Sequence, residues 1–220
     1  PTMVMPGTAL HAEWKQGTFT PLTLEQAADI ITEGKRYIPE YCRVMRVQRD
    51  IPTKVTSAGV EKTNLRQYVT ELLEEKKIQC RCIRCREPKE MNVKWDDVSI
   101  KRTNYKSSGG EEVFIAAESA DKLLGFCRLR KPFKPFRPEI TANSAGIREL
   151  HVYGKVAGIG DDGTVQHRGL GKQLVEEAER IAKEEWDCKK MLVISGIGVK
   201  EYYKNKLGYG KDGVYMSKEL

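Results

Sequence analysis

The chain has 220 residues, 40% of them hydrophobic, enough to bury a core in one large domain or two small ones and too many for a disordered segment. Lys and Arg number 38 against 31 Asp and Glu, a net charge of +7 shared by both halves, which permits an anionic partner without the density of a polybasic tail. No run approaches the roughly 18 apolar residues of a membrane span and no secretory signal opens the chain, so the expectation is an intracellular, cytoplasmic protein with no membrane contact. The start at Pro1-Thr2, without Met, reads as an excised piece of a longer protein.

In chain order, Met3-Val4-Met5 is a short apolar run, and residues 23–33 are predicted helical, with Thr23 as N-cap and Ala27, Ile30 and Ile31 on one face. Residues 42–51 are β-prone and stop at Pro52; residues 64–77 set Leu65, Val69, Leu72 and Leu73 at helical spacing. This alternation suggests part of an α/β layered fold. From residue 92 onward strands are predicted at 98–102, 113–118, 123–130 and 147–152. They are separated by Ser107-Ser108-Gly109-Gly110, by the proline-rich residues 131–138 and by residues 143–146, which gives this half an antiparallel character. A loop with Gly158, Gly160 and Gly163 then leads into an amphipathic helix carrying Leu170, Leu174, Ala178, Ile181 and Ala182 on one stripe. A buried strand at 191–195, the pair Tyr202-Tyr203 and a last strand at 214–217 complete the pattern, with no internal repeat.

Gln166-x-x-Gly169-x-Gly171 opens that helix. Glycines there allow a phosphate to approach the backbone, and the free N–H groups of a first helical turn favour an anion. A glycine-rich turn before an ordinary surface helix is the competing explanation. The spacing is neither the dinucleotide GxGxxG nor a P-loop.

In that context Gln-x-x-Gly-x-Gly resembles the acyl-CoA signature of GNAT acetyltransferases. The segments Arg148-Glu149-Leu150-His151-Val152-Tyr153-Gly154, Glu176-Glu177-Ala178-Glu179-Arg180-Ile181-Ala182, Val193-Ile194-Ser195-Gly196-Ile197-Gly198 and Gly213-Val214-Tyr215-Met216 extend the likeness. They resemble the C-terminal half of the Elongator catalytic-subunit family, the tRNA uridine acetyltransferases that join a radical-SAM barrel to a GNAT domain. Arg46-Val47-Gln48-Arg49-Asp50-Ile51-Pro52 and Ser57-Ala58-Gly59-Val60-Glu61 are similar to the end of that barrel. Lys204-Asn205-Lys206 before Leu207-Gly208 is one residue longer than the family spacing.

The resemblance implies an α/β fold in which a GNAT acetyltransferase domain follows a partial radical-SAM (β/α) barrel remnant. The expected divisions are 1–79 for the end of the barrel, 80–90 for a cysteine metal loop and 91–220 for the GNAT domain. It implies that Glu149, Leu150, His151 and Val152 pair through their backbone with the pantetheine arm of acetyl-CoA, that Gln166, Gly169, Leu170, Gly171 and Lys172 hold its pyrophosphate, and that Tyr203 lies at the thioester sulfur as cofactor contact and candidate proton donor.

Cys80-x-Cys82-x-x-Cys85 places three thiols where they can converge on one soft metal, with tetrahedral zinc as the default in a reducing compartment. A fourth ligand is required; Cys127 is a candidate, although a cysteine in an apolar run is commonly a small buried hydrophobe. An iron–sulfur site or no metal remain the other readings; radical-SAM clusters use Cys-x-x-x-Cys-x-x-Cys, and here the first gap is a single residue. Around this segment lie Arg81, Arg84 and Arg86, and further on Arg128, Arg130, Lys131, Lys134 and Arg137 are interleaved with Phe133 and Phe136, a pattern suited to an RNA backbone or to a plain solvated face.

The function implied is the acetyl-CoA-binding part of a tRNA carboxymethyluridine synthase, which builds cm5U at C5 of the wobble uridine in the anticodon. Its S-adenosylmethionine and [4Fe-4S] cluster are expected in the intact enzyme and not on this chain. Protein lysine acetyltransfer, or a non-catalytic tRNA-binding module with bound CoA, are the alternatives.

Overall fold

The computed structural model of the chain describes residues 3–47, 52–60, 64–88, 95–153 and 169–220, and these form two compact units, Pro1–Cys85 and Arg86–Leu220. In the first unit, α1 (Ala9–Lys15) is capped by the Thr8 hydroxyl, and α2 (Leu24–Gly34) opens on Thr23 as the sequence predicts. The Thr23 hydroxyl accepts from the Gln26 backbone N–H at 3.2 Å while the Gln26 side chain accepts from the Thr23 N–H at 3.0 Å, a reciprocal capping box. Helix α2 packs on α3 (Leu65–Glu75) through Ala27, Ala28, Leu65, Val69 and Leu73, with Val60 and Ile78 closing the cluster. Ile30, expected on the buried face, is instead 60% exposed, because the small Ala27–Ala28 pair forms the contact and lets the helices approach.

The predicted strand at 42–51 is not formed over residues 42–47, and residues 48–51 lie outside the described residues. Backbone groups there are satisfied otherwise: the Cys42 carbonyl accepts from the Ile83 N–H at 2.9 Å, and the Arg66 guanidinium donates to the Val44 and Met45 carbonyls at 3.3 and 3.0 Å. Among the described residues this unit's β pairing is the isolated Val4–Ala58 bridge. A single turn, α4 (Ile83–Arg86), begins in this unit and has its last residue, Arg86, at the start of the second.

The second unit is a seven-stranded sheet in the order β1-β2-β3-β4-β5-β7-β6, with β1 Ser99–Ser107, β2 Gly110–Ser119, β3 Lys122–Lys131, β4 Ser144–Val152, β5 Lys190–Val193, β6 Gly210–Asp212 and β7 Tyr215–Glu219. The predicted turn between β1 and β2 is a two-residue hairpin, with Ser108 and Gly109 at φ 47° and 74°. All pairings are antiparallel except β4 with β5. The apolar stripe of α5 (Leu170–Arg180), continued by the π-helical turn Ile181–Glu185, covers one face: Leu170, Leu174, Val175 and Ala178 share a core with Ile115, Leu129, Ile147 and Val193. Helix α6 (Lys200–Leu207) adds Tyr203 and Leu207 to that core and ends on left-handed Gly208. Among the described residues no helix is long and apolar enough to cross a membrane.

Candidate functional site

The parallel pairing of β4 with β5 runs only from Ser144 with Lys190 to Ile147 with Val193. On its other side β4 stays paired with β3 as far as Val152, with one irregularity: Arg128 lies opposite Glu149 and Leu129 opposite Ile147, so Arg148 has no counterpart. An extra residue of this kind bends a strand and increases its twist. Beyond the bulge, Glu149, Leu150, His151 and Val152 leave β5, and the edge of β4 that had faced it is without a strand partner among the described residues. Their side chains stand above and below the sheet: Leu150 and Val152 pack on the core, Glu149 accepts from the Arg128 Nε at 2.9 Å, and His151 lies between Phe126 and Tyr153, with ring centroids 5.9 and 4.4 Å away. What these four residues turn toward the opening is backbone N–H and C=O. On the β5 side, two residues past the last pairing, the buried Ser195 Oγ has no hydrogen-bond partner among the described residues.

The cleft leads to the start of α5. Gly169 caps the helix in the left-handed region at φ 75°, with no side-chain cap and no acidic residue in the first turn, so the N–H groups of Leu170, Gly171 and Lys172 keep their affinity for an anion. A Cβ on Gly171 would lie 3.3 Å from the Tyr202 hydroxyl and 3.6 Å from Val152 Cγ2, so the end of β4, the first turn of α5 and Tyr202 of α6 meet at one point. Gln166 lies outside the described residues. Tyr203 is 5% exposed and edge-on to both Tyr202 and Tyr209; burial first, then Cys127 and Tyr202, push its hydroxyl up to about 12, so it stays protonated at neutral pH. Its neighbour Tyr202 is 37% exposed and lies closer to the helix start, a role that motif spacing does not distinguish because the two tyrosines are adjacent.

The bulge is held from the sheet face opposite α5. Glu112 is 2% exposed and accepts from the Tyr105 hydroxyl at 2.6 Å, from Arg130 at 2.6 Å and from Arg148. Burial works to raise its carboxyl, but these donors hold it below the ordinary carboxylate range. Burial and Glu112 together push the Tyr105 hydroxyl up to about 12. Arg128 lies over the rings of Phe114 and Phe126 at 5.2 and 5.5 Å.

In the first unit, the sulfurs of Cys80, Cys82 and Cys85 lie within 4.8 Å of one another, the first two buried and Cys85 exposed. The one-turn helix makes this possible, with the Cys85 N–H donating to the Cys82 carbonyl at 3.0 Å. Lys35, buried at 4% exposure, brings its ammonium to 3.7 Å from Cys80 Sγ and 3.6 Å from Cys85 Sγ. Hydrogen bonds with Cys80 and Cys85 hold the Cys82 thiol below the ordinary range, and the same contacts push Cys85 up, as expected when three thiols share protons. Lys35 is 45 residues from Cys80 and no local pattern marks it. Cys127, weighed as a fourth ligand, sits in the core of the second unit with Val113, Leu129 and Ile147, where burial raises its thiol; it packs as a small apolar side chain.

Residues 72–209 match the acetyltransferase (GNAT) family, and residues 1–75 match the radical SAM C-terminal domain. The chain belongs to the GNAT family. The whole chain is 45% identical to the tRNA uridine(34) acetyltransferase of Methanocaldococcus infernus, covering 43% of it, and 42% identical to Elongator complex protein 3 of Dictyostelium discoideum, covering 41%. A solved structure of M. infernus Elp3 with an N-terminal deletion superimposes over the whole chain with a TM-score of 0.91 at 45% identity, and the chain covers 54% of it. The chain therefore spans less than half the length of these curated relatives. The GNAT match embraces both walls of the cleft and the start of α5.

Proposed function

We propose that this chain is the acetyl-CoA-binding part of an enzyme that carboxymethylates the wobble uridine of tRNA at C5. The observation that carries it is the departure of β4 from β5 at the Arg148 bulge, with the unpaired edge of Glu149, Leu150, His151 and Val152 leading to the uncapped start of α5. That edge suits the amides of a pantetheine arm by strand addition, and the orphaned Ser195 Oγ adds one more polar partner beside it. The N–H groups of Leu170, Gly171 and Lys172 fit the pyrophosphate, with Gly169 and Gly171 leaving room for it.

Acetyl-CoA, when bound, would supply the two-carbon unit; hydrolysis of its thioester by water leaves the carboxylate on that unit and frees CoA as the thiol. The residues at the cleft orient it: the β4 edge aligns the arm, and the α5 terminus anchors its charged end. Tyr203, protonated at neutral pH, is the group assigned to hydrogen-bond the departing sulfur. The radical step is assigned to an S-adenosylmethionine and iron–sulfur site that these residues do not supply. The relatives' names support tRNA as the acceptor.

The three thiols suit a structural zinc: bond lengths of about 2.3 Å set sulfurs roughly 4 Å apart, close to the observed grouping within 4.8 Å. Cys80, Cys82 and Cys85 would hold it, and it would tie the end of the first unit together.

The test is CoA release from acetyl-CoA by the purified chain alone, with tRNA and with a lysine peptide. Release stimulated by tRNA is expected. Acetyl-lysine would establish the protein acetyltransferase alternative, and tight CoA binding without turnover in any mixture would make the chain a binding module.

A further inference from the structure

The second unit carries an open pocket of about 310 Å³ on the sheet face opposite α5, within the size range of small-ligand sites. Its floor is Leu192, Ile194 and Tyr215, which alternate along their strands with Met191, Val193 and Met216 of the core. Its wall is the connection from β3 to β4, where Phe133 and Phe136 stand 75% and 88% exposed. Cations form the rim: Arg130, Lys134 and Arg148 line the pocket, and among the described residues no acidic residue does. Arg130 and Arg148 share the one carboxylate of Glu112, which leaves a surplus positive charge, and exposed Lys134 has no ion-pair partner among the described residues.

Two exposed aromatic rings over an apolar floor, with a net positive rim, are complementary to an unstacked base with its flanking phosphates. A nucleic acid strand carries a negative charge at every phosphate beside its bases, which matches the juxtaposition of exposed rings and Lys134 on this rim. Arg148 is also the bulged residue past which β4 leaves β5, so the pocket lies against the strand position where that edge opens.

We propose that this pocket binds an unstacked nucleobase of single-stranded RNA, with the ring of Phe136, the more exposed of the two, against the base and Lys134 on the adjacent phosphate. It rests on the tRNA reading above and extends it to a defined subsite.

The experiment measures binding of a fluorescent single-stranded oligouridylate to the 220-residue chain by anisotropy across a salt series. Phe136→Ala is expected to weaken binding roughly tenfold or more with the salt slope unchanged, and Lys134→Ala to reduce that slope by about one. Phe136→Trp should retain affinity while Phe136→Leu behaves like the alanine variant, because stacking needs a π-face. Thermal unfolding should be unaltered, since Phe136 stands in solvent. Saturating CoA should leave RNA binding intact. Wild-type affinity in Phe136→Leu, or displacement of RNA by CoA, overturns the assignment while leaving salt-dependent tRNA binding in place. Absence of any salt-dependent RNA binding overturns both this subsite and the tRNA reading beneath it.

Discussion

Gly169 and Gly171 are both glycines of the helix start, but for different physical reasons. Gly169 has open space around a notional Cβ and a φ of 75°, so Gly169→Ala costs about 1 kcal/mol through its backbone conformation. Gly171 has ordinary helical geometry and no strain; there a side chain meets the Tyr202 hydroxyl and Val152 where the pyrophosphate is assigned. Gly171→Leu is therefore expected to abolish CoA binding in a calorimetric titration while the protein stays folded, and Gly169→Ala to weaken binding by a smaller factor. Unchanged affinity in Gly171→Leu would remove the phosphate cradle from the site. The spacing of the two glycines is visible in the sequence; that only one of them faces a crowded junction is not, because Tyr202 and Val152 approach from elements distant in the chain.

At the level of elements, β4 carries the site because it belongs to two pairings that disagree. Its partnership with β3 tolerates the extra Arg148 and continues, whereas that with β5 ends there. Glu112 ties the bulge down by accepting from Arg148 and Arg130 together. Its lowered pKa sets the sign of the pH effect: the stabilisation is complete above the ordinary carboxylate range and is lost as the pH falls through the lowered folded value. Glu112→Gln should reduce the unfolding free energy at neutral pH by about 2 kcal/mol, and the difference from the wild type should shrink toward zero below about pH 4 in urea unfolding. A difference independent of pH would show that the ionised carboxylate is not what holds the bulge. The strands themselves were legible, since β2 and β3 combine β-prone residues with turn signals at each end. The bulge was not, because a register shift depends on the partner strand.

For the whole molecule, the two proposed ligand sites fall in separate compact units, the three thiols in one and the unpaired edge of β4 in the other. A saturating ligand stabilises the folded form that binds it by about 2.7 kcal/mol at a hundredfold excess over its Kd, and calorimetry reads whether the two units respond separately. Acetyl-CoA is expected to raise one transition. A strong zinc chelator, or Cys82→Ser, is expected to lower the other and leave the CoA-responsive transition in place. A chelator that changes neither transition, with no zinc in metal analysis, would remove the metal from Cys80, Cys82 and Cys85.

The sequence by itself determined what depends on near neighbours. The Thr23 cap, the stripes of α3 and α5, the hairpin at Ser108-Gly109 and the close spacing of the three cysteines all follow from contacts within a few residues. Tertiary structure decided the rest. Residues 42–47 have β-prone composition but form no strand, because their carbonyls bond to Arg66 and Ile83. Lys35 reaches the thiols, Ser195 is left unpaired beside the cleft, and β4 separates from β5 only because segments about 45 residues apart are brought together. Periodicity reports which face of an element is buried; it carries no information on which partner meets that face or where the pairing ends.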